Sequence, residues 1–509
     1  MKINRIENAK NGIIQGLINQ ISAIVFPFII QTVTIRQLGA EYVGIKGLFG
    51  SILTVFSLAE LGIGSAIVFC MYKPIADDDI DTICSLLFLY KKIYRVIGAA
   101  ILLMGIVITP FLNLLIKGDC PENLNIYAVF ILFLVGTVIP YLFYGYKVSL
   151  LSAYQRQDII SKTNTYVNLL MCGIQIVILT YSGNYYLYLI TAIVFAFINN
   201  VVVSIVVDYM YPEIKCRGKV EHNLLIDIRK KVGGLFIGKV CGVTRNTLDT
   251  VFISALIGLT QTAIYSNYYY IINMLICVVA VFLVAVQAGI GNSVAVDDKQ
   301  KNYKDMQLMN FAYMLVCGWI TVCMICLYQP FMRIWVGEKL MFDNDTMLLF
   351  PLYFYILKMG DIITLYIDAN GLYWETRFRA IFEMLANVVL NYILIKRLGV
   401  KGAVLSTIFT ILFFSFIWGG EIVFKHYFHT GKGKYYLTHL LYGGVTIGIA
   451  VISSFLCHIV QVENNWGDFG LKILICIIVP GGLYYLAYRK NRLFKETIKL
   501  FRATFWKAK

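Results

Sequence analysis

Apolar runs of about twenty residues, separated by short polar connections, recur along this chain from residue 12 to residue 488. Roughly 20 apolar residues in a helix cover the hydrocarbon core of a bilayer. Backbone in lipid must satisfy its own hydrogen bonds, so such runs are predicted as helices. Fourteen are expected, at 12–35, 42–70, 93–116, 124–150, 161–182, 185–208, 232–257, 262–290, 307–328, 346–368, 379–396, 401–424, 437–459 and 468–488. The pattern predicts an all-α polytopic membrane protein with little chain left for a soluble domain.

Composition agrees. Of 509 residues, 59% are hydrophobic and 14% are charged, where soluble domains hold about a quarter charged residues. The first apolar run lacks a small-residue cleavage site and is read as a retained helix. Lys and Arg set the orientation. Eight lie at the outer connections (Arg36, Lys117, Arg333, Lys339, Lys396, Arg397, Lys401 and Lys472) and four within spans (Lys46, Lys239, Arg245 and Lys358). The other 32 of the 44 fall on the side that holds both termini. Both ends are therefore expected in the cytoplasm. The net charge of +15 reads as membrane topology, not as a nucleic-acid footprint.

The tail 489–509 carries Leu493, Phe494, Ile498, Phe501 and Phe505 on one helical stripe amid basic residues. Such a helix suits an anionic membrane surface. The acidic run "ADDDID" (76–81) lacks the Gly and distal Glu of an EF-hand and reads as a loop capping the next helix. Cys323 and Cys326 form a CxxC with no nearby His. Packing is the expected role, with zinc or redox chemistry as the alternative. No cofactor and no resident metal are expected.

The two halves resemble each other. At an offset of 216 positions Ala153 meets Ala369, Gln175 meets Asn391, Gly183 meets Gly399 and Thr191 meets Thr407; separately, "ELGIGS" (60–65) matches "QAGIGN" (287–292). The expected organisation is a six-helix lobe (1–208), a cytoplasmic linker (209–231) and a second six-helix lobe (232–424). Two further spans (425–488) and the basic tail (489–509) follow. Each lobe starts and ends on the same side, so the repeats are parallel. Glu60 corresponds to Gln287, so the position needs polarity while the charge belongs to the first half. A gate or structural role is expected, with Glu60 paired to a basic group; contact with substrate or a coupling proton is the alternative.

The stretches "TIRQLGAEYVGI", "SLAELGIGSAI", "MYKPI…D…LYKKIYR" and "SAYQRQDIIS" resemble the Wzx-type polysaccharide flippases of the multidrug/oligosaccharidyl-lipid/polysaccharide exporter superfamily. The likeness covers most of residues 1–430. It implies a MATE-like pair of lobes that alternate access in the bacterial inner membrane. The implied substrate is an undecaprenyl-pyrophosphate-linked oligosaccharide for O-antigen, capsule or related glycans, and the implied partners are membrane lipids and other polysaccharide assembly proteins. It also implies that spans one, two, seven and eight line the central cleft.

A pyrophosphate needs cations, because its charge in hydrocarbon would be prohibitive. The candidates are Arg36, Lys46, Lys239 and Arg245, with Asp249 one turn beyond Arg245 and Gly242 and Asn246 on the same face as Lys239 and Asp249. Sugars suit aromatic and amide surface, and Tyr265, Tyr268 and Tyr269 open span eight; interfacial packing is their other reading. Pro27 should kink span one. Lys358 and Asp361 are three apart and suited to neutralise each other. A multidrug antiporter of the same superfamily remains as a rival, although residues 11–35 hold no Asp or Glu. A polysaccharide polymerase or glycosyltransferase is a second rival, although the outer loops are small. Enzymatic activity is not expected, and no nucleotide-binding loop occurs.

Overall fold

A computed structural model describes residues 5–60, 63–117, 120–121, 124–220, 225, 240–245, 247–460 and 462–506. Among them there is no strand, and the chain is an all-α polytopic membrane fold. It divides into two compact units, 1–263 and 264–509.

In the first unit α1 (Arg5–Gln37) is followed by α2 (Ala40–Phe56), α3 (Ile63–Ala76), α4 (Ile80–Ile108), α5 (Ile126–Leu142), α6 (Val148–Ala153), α7 (Gln157–Tyr181) and α8 (Tyr185–Met210). Residues 240–245 and 247–256 are helical and are called α9. The second unit holds most of α10 (Leu259–Val296), then α11 (Lys299–Trp335), α12 (Asn344–Met359), α13 (Asp361–Ala369), α14 (Arg377–Leu398), α15 (Val400–Thr410) and α16 (Gly419–Val423). It ends with α17 (Gly433–Ile459), α18 (Asn465–Tyr488) and α19 (Arg492–Trp506).

Among the described residues, eleven helical stretches are long and apolar enough to cross a membrane, and the bent pair α5–α6 makes a twelfth. These twelve coincide with expected spans. Span two departs from the expectation of one continuous helix: it is broken between α2 and α3. Span four also departs from it. It bends by 50°, because Pro140 lacks an amide hydrogen and Tyr144 takes a left-handed φ of 62°. In span seven, residues 232–239 and 246 lie outside the described residues. α1 carries Pro27 without ending there.

Two buried amides that the sequence repeat pairs each bond to the following helix. Gln175 and Asn391 are both buried. Gln175 donates to the Tyr188 carbonyl across α7 and α8 at 3.3 Å, and Asn391 accepts from Ser406 across α14 and α15 at 2.6 Å. Side-chain bonds of this kind hold helices together where lipid supplies no hydrophobic drive. Gly183 and Gly399 close the preceding helices with φ of 57° and 62°, a region that other residues enter at a cost.

The boundary between units falls one span later than the expected linker. The end of α9 is fastened to the end of α4 inside the first unit. Ser254 donates to the Leu115 carbonyl at 2.8 Å, Lys117 N–H donates to Ser254 at 3.1 Å, and the Lys117 ammonium reaches the Leu256 carbonyl at 2.8 Å. That last bond places a cation on unsatisfied carbonyls at a helix C-terminus.

The acidic run 76–81 caps a helix as expected. Asp79 accepts from the Thr82 amide at 3.0 Å, and its bonds with Thr82 hold its carboxyl below the usual range. In the tail, Phe494 and Thr497 are buried, with Phe494 against Phe311 and Tyr485. The apolar stripe therefore docks on protein at its start.

Candidate functional site

After Phe56 the chain makes a single tight turn, Ser57–Glu60, before helix resumes at Ile63. The break frees the Glu60 side chain to reach neighbouring helices. Its carboxylate accepts a hydrogen bond from Tyr94 on α4 and another, of 2.5 Å, from Tyr141 on α5. Among the described residues, two phenols take the place of the expected basic partner. A carboxylate needs donors, not necessarily charge, and phenol–carboxylate bonds are short and strong. Tyr90, one turn before Tyr94, packs edge-on against it with centroids 4.4 Å apart. Gly64 makes room for this group: a Cβ there would lie 2.6 Å from the Tyr90 hydroxyl.

Beside the cluster lies a cavity of about 420 Å³, lined by Gly64, Phe69, Tyr72, Tyr90, Tyr94 and Ser149 among others. Its aromatic faces and hydroxyls suit sugars and offer no cation to an anion. Tyr90, Tyr94 and Tyr141 were not among the expected site residues. The available signal was the four-residue step between Tyr90 and Tyr94 in "LYKKIYR", which puts both on one face of a helix. At the same bend Lys147 is buried, and pairs with Asp208 at 2.6 Å and Ser204 at 2.8 Å.

The first unit also contains the expected cations. Arg36 is exposed at the end of α1, Lys46 is half-buried on α2, and Arg245 is half-buried on α9. Asp249, one turn further along α9, is buried. Lys239 and Asn246 lie outside the described residues.

In the second unit α10 runs unbroken through Gln287, which is exposed. Gly289 and Gly291 have no neighbour within 4 Å. The matched "GxG" segments therefore do different things: close approach at Gly64, open space at its counterpart. Tyr268 corrects a second expectation. Its side chain is wholly buried, gives its hydroxyl to Gln329 at 2.7 Å and accepts the Phe342 amide at 3.3 Å. A ring enclosed by Tyr328, Phe342 and Phe350 has no face for a sugar. Tyr265 is buried and stacks on Tyr269, which is half-buried. Lys358 and Asp361 pair at 2.8 Å at the α12–α13 break, and Tyr313 donates to the same carboxylate at 2.5 Å.

No family model and no curated protein matches the sequence. Solved structures do match the fold. One is a lipid II flippase, MurJ, in an inward closed conformation: 15% identical, TM-score 0.65, with 94% of this chain and 99% of that chain covered. Another is an inward-facing multidrug resistance MATE family transporter of the MOP superfamily: 14% identical, TM-score 0.56, with 80% of this chain and 97% of that one covered. A third is a MOP superfamily transporter from Pyrococcus furiosus: 15% identical, TM-score 0.54, with 82% and 96% covered. At such identities the likeness is one of fold.

Proposed function

We propose that this chain is a flippase of the MOP superfamily. It carries undecaprenyl-pyrophosphate-linked oligosaccharide repeat units across the bacterial cytoplasmic membrane by alternating access, without catalysing a covalent reaction. The observation that carries the reading is coverage. The lipid II flippase aligns with 94% of this chain, whereas the two other transporters leave about a fifth of it unmatched. That a lipid II flippase matches nearly the whole chain supports a flippase over the other transporters. The absence of Asp or Glu from residues 11–35 argues in the same direction, against a multidrug antiporter.

On this reading Arg36, Lys46, Lys239 and Arg245 receive the pyrophosphate, with Asp249 holding Arg245 in place. Arg offers paired donors to phosphate oxygens, while Lys acts as a point charge. Tyr269, half-buried, supplies aromatic surface for the sugars, while buried Tyr265 backs its ring. Glu60, held by Tyr94 and Tyr141, fixes the break in span two near the inner mouth, with Gln287 at the matching place and Pro27 bending span one.

The test is complementation of a strain that lacks its flippase and accumulates lipid-linked repeat units inside. Restored glycan export with loss of that pool is expected. Drug or cation efflux without restored export in strains with matched glycans would overturn the proposal.

A further inference from the structure

The CxxC of α11 gains partners that are far away in sequence. Cys326 on α11, Cys457 on α17 and Cys476 on α18 are all buried, and their sulfur atoms lie within 4.8 Å of one another. Cys323, one turn before Cys326, donates its thiol to the Cys476 carbonyl at 3.9 Å. Trp319, one turn earlier again, donates its indole N–H to the same carbonyl at 2.9 Å and fixes that stretch of α18. Four of the twelve cysteines thus gather on three helices of the second unit.

We infer that this cluster is a binding site for a soft, thiolate-seeking metal ion, Zn²⁺ or Cu⁺, that ties the two C-terminal spans to α11. Several lines support it. Zinc–sulfur bonds of about 2.3 Å place tetrahedral sulfurs about 3.8 Å apart, so the observed grouping needs only small side-chain rotations. Soft sulfur ligands select Cu⁺ and Zn²⁺ over harder ions. Three converging sulfurs suit a metal better than a disulfide, which would join two and strand the third. Each thiol that binds releases a proton, and the ion's charge offsets the thiolates where an isolated thiolate would be costly. No electron is transferred. Lys472, one turn before Cys476, is paired with Asp468 at 2.6 Å, so the nearest charged side chains on that helix cancel. Cys323 also lines an apolar cavity of about 220 Å³ with Met324, Leu327 and Phe331.

The experiment uses the full-length protein in detergent, without a histidine tag. It is reduced, incubated separately with Zn²⁺ and Cu⁺, desalted, and its metal content measured by mass spectrometry. About one ion per chain is expected, as for a structural thiolate site. C457S/C476S should lose it, and C172S, in the other unit, should keep it. No retained ion in folded wild-type protein, or equal retention by the double variant, would overturn the site. So would a reducible bond between two of the four cysteines in the protein as purified. If the double variant does not fold, X-ray absorption of the loaded wild type decides: sulfur neighbours at about 2.3 Å support the site, and only oxygen or nitrogen neighbours sink it.

Discussion

Tyr94 and Tyr313 each stand fifteen positions after the aspartate that caps their helix, Asp79 and Asp298, and each gives its hydroxyl to a carboxylate within its own unit. Tyr94 serves Glu60, and Tyr313 serves Asp361 at 2.5 Å. Both carboxylates sit at a break in a membrane helix. In the second unit the carboxylate has Lys358 beside it, while in the first it has Tyr141. The two carboxylates are not counterparts in the repeat, which pairs Glu60 with Gln287, so the similar tyrosines serve acids on different spans.

Glu60→Gln should fold and keep most of its export, because an amide still accepts one hydroxyl and donates to the other. Glu60→Leu strands two buried phenols, at about 1–3 kcal/mol each. Melting in detergent should fall clearly for Leu and little for Gln. A well-folded Gln variant with no export would mean that the charge itself is used.

Lys358→Ala should be far more damaging than replacement of the pair. Removing one partner of a buried ion pair costs about 3–5 kcal/mol. Lys358→Met combined with Asp361→Asn removes both charges and keeps an acceptor for Tyr313. Thermal unfolding should show the double variant well above Lys358→Ala.

Arg245→Lys should weaken glycan export, and Arg245→Ala should reduce it by roughly tenfold or more, the scale of a lost charged hydrogen bond. Both should remain folded. The swap Arg245→Asp with Asp249→Arg moves the cation about one helical turn. A phosphate site should not recover; full recovery in an export assay would reduce the pair to a structural lock.

Topology can be checked by adding Lys219→Cys and Asp345→Cys separately to the native chain, whose own cysteines are all buried or half-buried. On intact cells an impermeant maleimide should label the cysteine at 345 and not that at 219. Labelling of both would overturn the assignment of the termini to the cytoplasm.

Much of the fold was legible because a bilayer fixes the length of what crosses it. Twelve spans could be placed from local hydropathy, and the pairing of Gln175 with Asn391 and of Gly183 with Gly399 marked the repeat. The site was less legible. Glu60 announced itself as a polar residue in an apolar run, but its partners are 34 and 81 positions away. Tyr265 and Tyr268 looked like Tyr269, and only burial distinguished them from it.

By itself the sequence determined twelve of the spans, the distribution of Lys and Arg along the chain and the positions that its two halves share. All of these follow from interactions local in the chain or from the solvent that surrounds it. Tertiary structure alone decided that Glu60 meets phenols instead of a cation, that α9 fastens to the first unit, and that Cys457 and Cys476 join the CxxC of α11. Every apolar helix presents an apolar surface on all sides, so periodicity does not say which face meets which neighbour. That choice is made by packing among helices distant in sequence.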